Sequence, residues 1–321
     1  MDLGSIRRRF GGVLLLSALL IGPACCEASQ RVWIDTDVSI GLPFREVDDA
    51  FALLLAFHSK QLAIAGLTTS YGNAALFATD RIAREMAAQF GAPAGLTEKT
   101  VYRGASSPHD LGKETPGTAA LASALTRGSL IYVALGPLTN LATVLQLHPE
   151  LAPRVERVFL VGGTSPGEQL HAGKNRLLRI HDANVVKDPR AVERVLQSGV
   201  PLTLVPISVS GELEINQDDL KILGSSNRGG RYLFEHTRQW IWFWQKIARA
   251  DGGPIFDAFA VFAVTNPESV PKEARFAALD ANGSLIATRV RRSGAWPVQF
   301  CLGARPSMKL IVMRRLRTNA P

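Results

Sequence analysis

Four carboxylates crowd one stretch of this 321-residue chain, Arg31–His58, RVWIDTDVSIGLPFREVDDAFALLLAFH. Asp35 and Asp37 follow the apolar run Val32-Trp33-Ile34, and Asp48-Asp49 open a longer apolar segment. An apolar run that ends in acidic residues and resumes after a loop reads as a buried strand, a connection and a helix. Like charges so close disfavour one another's ionised forms, so a bound cation is the physical reason to gather them. Taken alone, Asp48 and Asp49 also suit a helix N-terminus, where first-turn carboxylates stabilise by about 0.3–1 kcal/mol each.

The elements that must position these groups alternate along the chain. Strands are expected at Leu62–Thr68, Ser129–Leu135, Arg157–Val161 and Leu202–Val205. Helices are expected at Thr79–Phe90, Leu138–Leu147, Asp188–Gln197 and Asp257–Thr265. The alternation predicts an α/β fold, a mostly parallel twisted sheet with helices on both faces. Gly91–Thr118 and Gly167–Arg179 read as loops. Arg275–Ile311 reads as short strands with turns at Asn282-Gly283 and Ser293-Gly294, a small β hairpin at the sheet edge near the C-terminus. No closing amphipathic helix is apparent in MKLIVMRRLRTNAP.

In open parallel sheets, ligands bind at the carboxyl ends of the strands. Polar groups fall there repeatedly: Asp35 and Asp37, then Asn73, the backbone at Leu135-Gly136, Gly162-Gly163, and Asp182 with Asn184. Asp257 follows Gly252-Gly253-Pro254 at an expected helix start. Each has a plain role as a cap or turn residue. Their convergence on one edge is what favours a site.

Composition bounds the rest. With 46% hydrophobic and 20% charged residues, the chain has the material for a sizeable core. Arg7-Arg8-Arg9, the apolar run Val13–Ile21 and the small residues of GPACCEA have the layout of a signal peptide over residues 1–28, too short to span a membrane stably. One domain is then expected over 29–321, in the periplasm or outside the cell. Arg7-Arg8-Arg9-Phe10 partly matches the twin-arginine export pattern, and Gly22-Pro23-Ala24 before Cys25 lacks the leucine of a lipoprotein signal. Removing residues 1–28 leaves 33 basic and 26 acidic residues, and Cys301 as the single cysteine, so no internal disulfide is expected. The basic residues are scattered apart from Arg289, Arg291 and Arg292 and the run Arg314-Arg315-Leu316-Arg317, which argues against nucleic acid as a partner. Homo-oligomerisation stays open.

Taken in order, the paired aspartates, TTSYGN (68–73), ALGPLTNLA (134–142), VFLVGG (158–163), NVVKDP (184–189) and GGPIFDA (252–258) resemble the inosine-uridine-preferring nucleoside hydrolase family. The resemblance covers most of residues 31–265. It implies a Ca²⁺-dependent enzyme that splits ribonucleosides into ribose and free base. It implies Asp37, Asp49, the Leu135 carbonyl and Asp257 as metal ligands, with Asp37 also the base that takes a proton from the attacking water. Asp48, Asn73 and Asn184 would then hold ribose hydroxyls. Asp182 stands where the family has a glutamate on the 5′-hydroxyl, and Asp35 would support the site from behind.

Two features depart from that family. The tight Pro-Gly turn between the acidic positions is replaced by Val38–Val47, and the histidine that often precedes the last aspartate is Phe256. A longer loop adds little closure entropy, about 0.6 kcal/mol per doubling, so Asp37 and Asp49 can still meet. His109, His171, His181 and His236 are the histidines nearest candidate loops, and Trp240, Trp242 and Trp244 suit either a packed helix face or stacking on a base. Asp35-Thr36-Asp37-Val38-Ser39 also resembles the opening of haloacid-dehalogenase phosphatases, but Asp48-Asp49 follows too soon for their second acidic pair and GPLTN would go unused. An exported nucleoside- or ribose-binding protein with little turnover is the alternative from another class.

Overall fold

The computed structural model describes Met1 and residues 29–168, 170–172 and 178–318. The expected signal peptide therefore lies, Met1 apart, outside the described residues. The chain enters through β1 (Gln30–Thr36), α1 (Asp48–Phe57), β2 (Leu62–Thr69), α2 (Leu76–Phe90), β3 (Val101–Arg103), α3 (Pro116–Arg127), β4 (Leu130–Ala134) and α4 (Thr139–Leu147). It continues with β5 (Val155–Val161), a ribbon of β6 (Leu170–Ala172) and β7 (Leu178–Ile180), α5 (Ala183–Val186), α6 (Pro189–Gln197), β8 (Leu202–Val205) and α7 (Ile207–Ser210). Then come β9 (Glu214–Asn216), α8 (Gln217–Gly224), α9 (Arg228–His236), α10 (Arg238–Lys246), β10 (Gly252–Pro254), α11 (Phe256–Thr265), β11 (Lys272–Leu279), β12 (Leu285–Thr288), β13 (Trp296–Cys301) and α12 (Met308–Arg317).

Nine strands form one sheet in the order β12-β11-β13-β8-β5-β4-β1-β2-β3. β11 pairs antiparallel with both β12 and β13, and the other neighbours run parallel. The period of two along β1 sends Val32 and Ile34 into one core and Trp33 into the other. The first core holds α1, α11 and α12, and the second α3, α4 and α6. Parallel strands buried on both faces need continuous apolar runs, which is how RVFLV and LTLV read.

The register delivers the polar residues to one edge. Asp35 lies opposite Thr68 on β2 and Ala134 on β4, so the exits of these three strands are neighbours. Leu135 N–H donates to the Asp35 carbonyl at 2.9 Å, and Ser70 N–H to that of Thr36 at 3.0 Å. α1 packs along α11, which sets Asp48 and Asp49 beside Asp257.

Three expectations are corrected. The last residues do form a helix, α12, with Met308, Val312, Met313 and Leu316 buried against α1, α8, α9 and α11. Four positively charged residues within it break up the apolar pattern that would reveal it. The segment Gly91–Thr118 is not all loop, since β3 lies inside it and α3 starts at Pro116, capped by Thr115 and Thr118. Within Gly167–Arg179, β6 and β7 pair antiparallel. The hairpin of β11 and β12 does sit at the sheet edge, with its turn at Asn282-Gly283.

A shift in register between Val32 and Trp33 places Trp33 opposite Gly66. A Cβ on Gly66 would lie 2.4 Å from Trp33 Cζ3, and the indole is also pinned by its bond to Thr68 Oγ1 at 3.1 Å. A strand glycine of this kind marks close approach by a neighbour. Gly66→Ala should cost about 1–3 kcal/mol through overpacking, measured as a lowered denaturation midpoint with unchanged slope.

Candidate active site

The floor of the site is built on a carboxylate that never meets solvent. Asp35 Oδ2 accepts from the Tyr132 hydroxyl, and Asn140 Nδ2 lies 3.1 and 3.2 Å from the two oxygens. Asn140 is the last residue of GPLTN; its Oδ1 also accepts from Ala105 N–H at 2.8 Å. Burial pushes Asp35 up to about 7 despite these donors, and the Asp37 charge adds a smaller push. Thr139, one residue earlier, donates to Asp188 at 2.6 Å and so ties α4 to the start of α6.

Above this floor stand Asp37, Asp48, Asp49 and Asp257, all buried. One oxygen from each of Asp48, Asp49 and Asp257 can be chosen so that all lie within 4.8 Å of one another. Asp37 adjoins this group through its backbone N–H, 3.2 Å from Asp49 Oδ1, an oxygen that also accepts from Thr36. Burial raises Asp49 and Asp257 well above the ordinary carboxylate range, and their aspartate neighbours add to it. Their contact with each other lowers Asp49 and raises Asp257, a smaller effect than burial. Asp48 is pushed up to about 8 by burial, then by the charges of Glu46 and Asp37.

Asp48 Oδ1 is buried and takes no hydrogen bond from any described residue. An orphaned carboxylate oxygen beside two others is costly unless a cation or donor meets it. The donor set is all oxygen, which suits a hard divalent cation and not a soft one. The residues present therefore fit a metal.

The remaining expected residues surround this centre. Asn73 bonds Asp37 Oδ2 through its backbone N–H at 2.7 Å, and its side-chain amide reaches Asp37 Oδ1 at 3.3 Å and Asp49 Oδ2 at 3.2 Å. Gly72 lets this happen, because a Cβ there would sit 1.7 Å from Asp37 Oδ2. The Leu135 carbonyl accepts from Asn184 Nδ2 at 2.8 Å, and the same amide reaches the Val161 carbonyl at 3.1 Å. Asp182 caps α5 and accepts from Gly163 N–H at 2.6 Å; burial pushes it up to about 6. Asp48, Asn73, Leu135, Asp182, Asn184 and Asp257 all line one cavity of about 150 Å³. Asp37 and Asp49 are not among its lining residues.

Two residues of this site escaped the sequence reading. Lys187 Nζ lies 3.5 Å from Asp37 Oδ2 and 3.4 Å from Asn73 Oδ1, and its charge partly offsets the burial that raises Asp37. It sits three residues after Asn184, the helical spacing that puts both on one face. Glu46, from the unusual segment Val38–Val47, lines the cavity as well. Of the four candidate histidines, His181 lines the cavity, as does Phe256. His236 stacks on Tyr232 at 4.2 Å, while Trp240 and Trp244 are buried among the helices and Trp242 is exposed.

The site is an acidic centre at the carboxyl edge of a mostly parallel α/β sheet, the place where such sheets bind ligands. The chain belongs to the inosine-uridine preferring nucleoside hydrolase family, whose sequence profile matches residues 32–303. It is similar to uridine nucleosidase 1 of Arabidopsis thaliana, 29% identical over 272 residues that span 74% of this chain and 75% of the relative. It is also similar to a non-specific ribonucleoside hydrolase of Shigella boydii, 25% identical over 87% of this chain and 92% of that protein. Among solved structures, a plant nucleoside hydrolase superposes with a TM-score of 0.76 at 21% identity, covering 90% of this chain and 99% of the other. A purine-preferring ribonucleoside hydrolase from Gardnerella vaginalis gives 0.72 at 22% identity, covering 90% and 98%.

The raised carboxyls make a pH prediction. Asp35 and Asp48 bind protons more tightly folded than unfolded, so in the cation-free protein their stabilising contribution is full below about pH 4. It is lost as pH rises through about 7 and about 8 respectively. A divalent cation must displace the protons held by the cluster, so it should raise the melting temperature more at about pH 8 than at about pH 5. Calorimetric melts at both values, with chelator and with added cation, check the sign.

Proposed function

We propose that this enzyme hydrolyses the N-glycosidic bond of ribonucleosides to ribose and free base with a bound Ca²⁺. The observation that carries the reading is the orphaned Asp48 Oδ1 within the Asp48–Asp49–Asp257 group, beside a cavity that Asn73, Asp182, Asn184 and Glu46 line together with apolar residues such as Phe256. A bound Ca²⁺ would acidify a water and hold a vicinal diol in a loose oxygen shell. Asp49, Asp257 and the Leu135 carbonyl are the groups to hold it, with Asp37. The Leu135 oxygen has a second lone pair beyond the one used by Asn184.

Asp37 is the base in this reading. It is held by the Asn73 backbone and balanced by Lys187, an arrangement that favours the ionised form against burial. Asp48 and the Oδ1 of Asn184, whose amide is spent on two carbonyls, are left to accept from ribose hydroxyls. Departure of the base leaves an oxocarbenium-like sugar, and the surrounding carboxylates stabilise that positive charge in a site with little water. Phe256 offers no proton to the leaving base. The N-terminal pattern supports an exported enzyme.

The test is release of reducing sugar from a panel of purine and pyrimidine ribonucleosides, with and without chelator. Asp49→Asn and Asp257→Asn should each lower kcat/KM by more than about 100-fold, beyond the 10–100-fold typical of residues that only support a metal ligand. Activity that survives chelation would overturn the metal role. Nucleoside binding without sugar release would instead favour the binding-protein reading.

A further inference from the structure

The ten residues Val38–Val47 do more than join β1 to α1. Ser39 Oγ donates to the Glu46 carbonyl at 2.8 Å, closing the segment on itself, and Gly41 turns against the His236 ring with a positive φ of 80°. At its end, Glu46 lines the cavity together with Asp48, Asn184 and Asp257. Trp240 on α10, 4% exposed, fixes that carboxylate by donating Nε1–H to Oε2 at 3.0 Å. Oε1 takes no hydrogen bond from any described residue. Glu46 also lies outside the group of three aspartates that can share one cation.

A half-buried carboxylate on the cavity wall, anchored by one oxygen and free of protein partners at the other, is placed to accept from a ligand that enters. Donors stand nearby, with His181 and Asn73 in the same lining and Lys187 close enough to act through its charge, but none of them bonds Oε1. Burial raises the Glu46 carboxyl, the Trp240 bond and the Lys187 charge partly offsetting this. We propose that Glu46 is a substrate-contacting residue, its Oε1 accepting a hydrogen bond from a donor of the bound nucleoside while Trp240 holds the side chain in place. The inference rests on the ribonucleoside reading above. The donor is a ribose hydroxyl or a base N–H, and deleting each in turn identifies which.

The experiment is a cycle between protein and ligand, run on the full chain with calorimetric Kd and, where sugar is released, kcat/KM. The ligands are a ribonucleoside, its 2′-, 3′- and 5′-deoxy analogues, and a base lacking the exocyclic amine; the proteins are wild type, Glu46→Ala, Glu46→Gln and Trp240→Phe. A hydrogen bond to a charged group is worth about 10–100-fold, so Glu46→Ala should weaken the parent nucleoside by that factor. One analogue should be weakened equally in wild type and lose nothing further in Glu46→Ala. Glu46→Gln, which keeps an acceptor for Trp240, should fall between, and Trp240→Phe should reduce the coupling without abolishing it. Equal losses for every ligand, or none, would overturn the contact and leave Glu46 as a loop anchor. Wild-type protein that binds no nucleoside would overturn the ribonucleoside reading and this proposal together; wild-type binding with an uncoupled Glu46 overturns this proposal alone.

Discussion

Everything at the carboxyl edge of the sheet answers to one constraint: several carboxylates are held together where water cannot screen them. Asp37, Asp48, Asp49 and Asp257 are buried, and burial is the largest push on the pKa of each. Among the described residues a single ion pair reaches this group, Lys187 on Asp37. One ammonium cannot balance four carboxylates. Without more positive charge, burial and mutual repulsion raise these carboxyls and favour their protonated forms. A divalent cation is the other way to relieve the repulsion, and one oxygen each of Asp48, Asp49 and Asp257 lie within 4.8 Å of one another, close enough to share one.

The scaffold spends its most buried hydrogen bonds on keeping these carboxylates in place. Tyr132 and Asn140 hold Asp35 from below, Thr36 holds Asp49, and the Asn73 backbone holds Asp37. Such fully bonded networks rigidify a site, while a partly bonded one is costly. Asp48 Oδ1, buried with no donor, is therefore informative. Asp48 and Glu46 both line the cavity.

Much of this was legible in the sequence because parallel sheets leave strong marks. Runs such as LAIAGLT and RVFLV are buried on both faces, so their limits in the structure differ from expectation by only a residue or two. The edge on which polar residues gather follows from strand direction alone, which is why Asp37, Asn73, Leu135 and Asn184 could be placed together. What the pattern hid was contact made by side-chain reach. Asn140 was visible as part of GPLTN, but its role needs the register that sets it under Asp35. Lys187 stood beside Asn184 in NVVKDP, yet nothing local says that its ammonium crosses to Asp37. α12 was hidden because Lys309, Arg314, Arg315 and Arg317 interrupt its apolar spacing, with Leu310 exposed and Arg315 turned inward to Ser59 and Thr265.

Val38–Val47 is the clearest case of sequence and structure carrying different halves of one answer. The sequence marks it as a departure, because a tight turn would pre-organise Asp37 and Asp49 and ten residues would not. In the structure that order is supplied by other means. The segment closes through Ser39, rests on α9 at His236, and is latched to α10 by the Trp240–Glu46 bond. A tryptophan series that reads as a helix face is thus mostly that, with Trp240 and Trp244 buried, but one indole N–H is turned toward the site. The longer loop loses the stiffness of a short turn and gains a carboxylate in the cavity. Its rigidity then depends on the helical layer carrying Trp240, so the shape of the pocket is tied to the packing of α9 and α10 rather than to the turn alone.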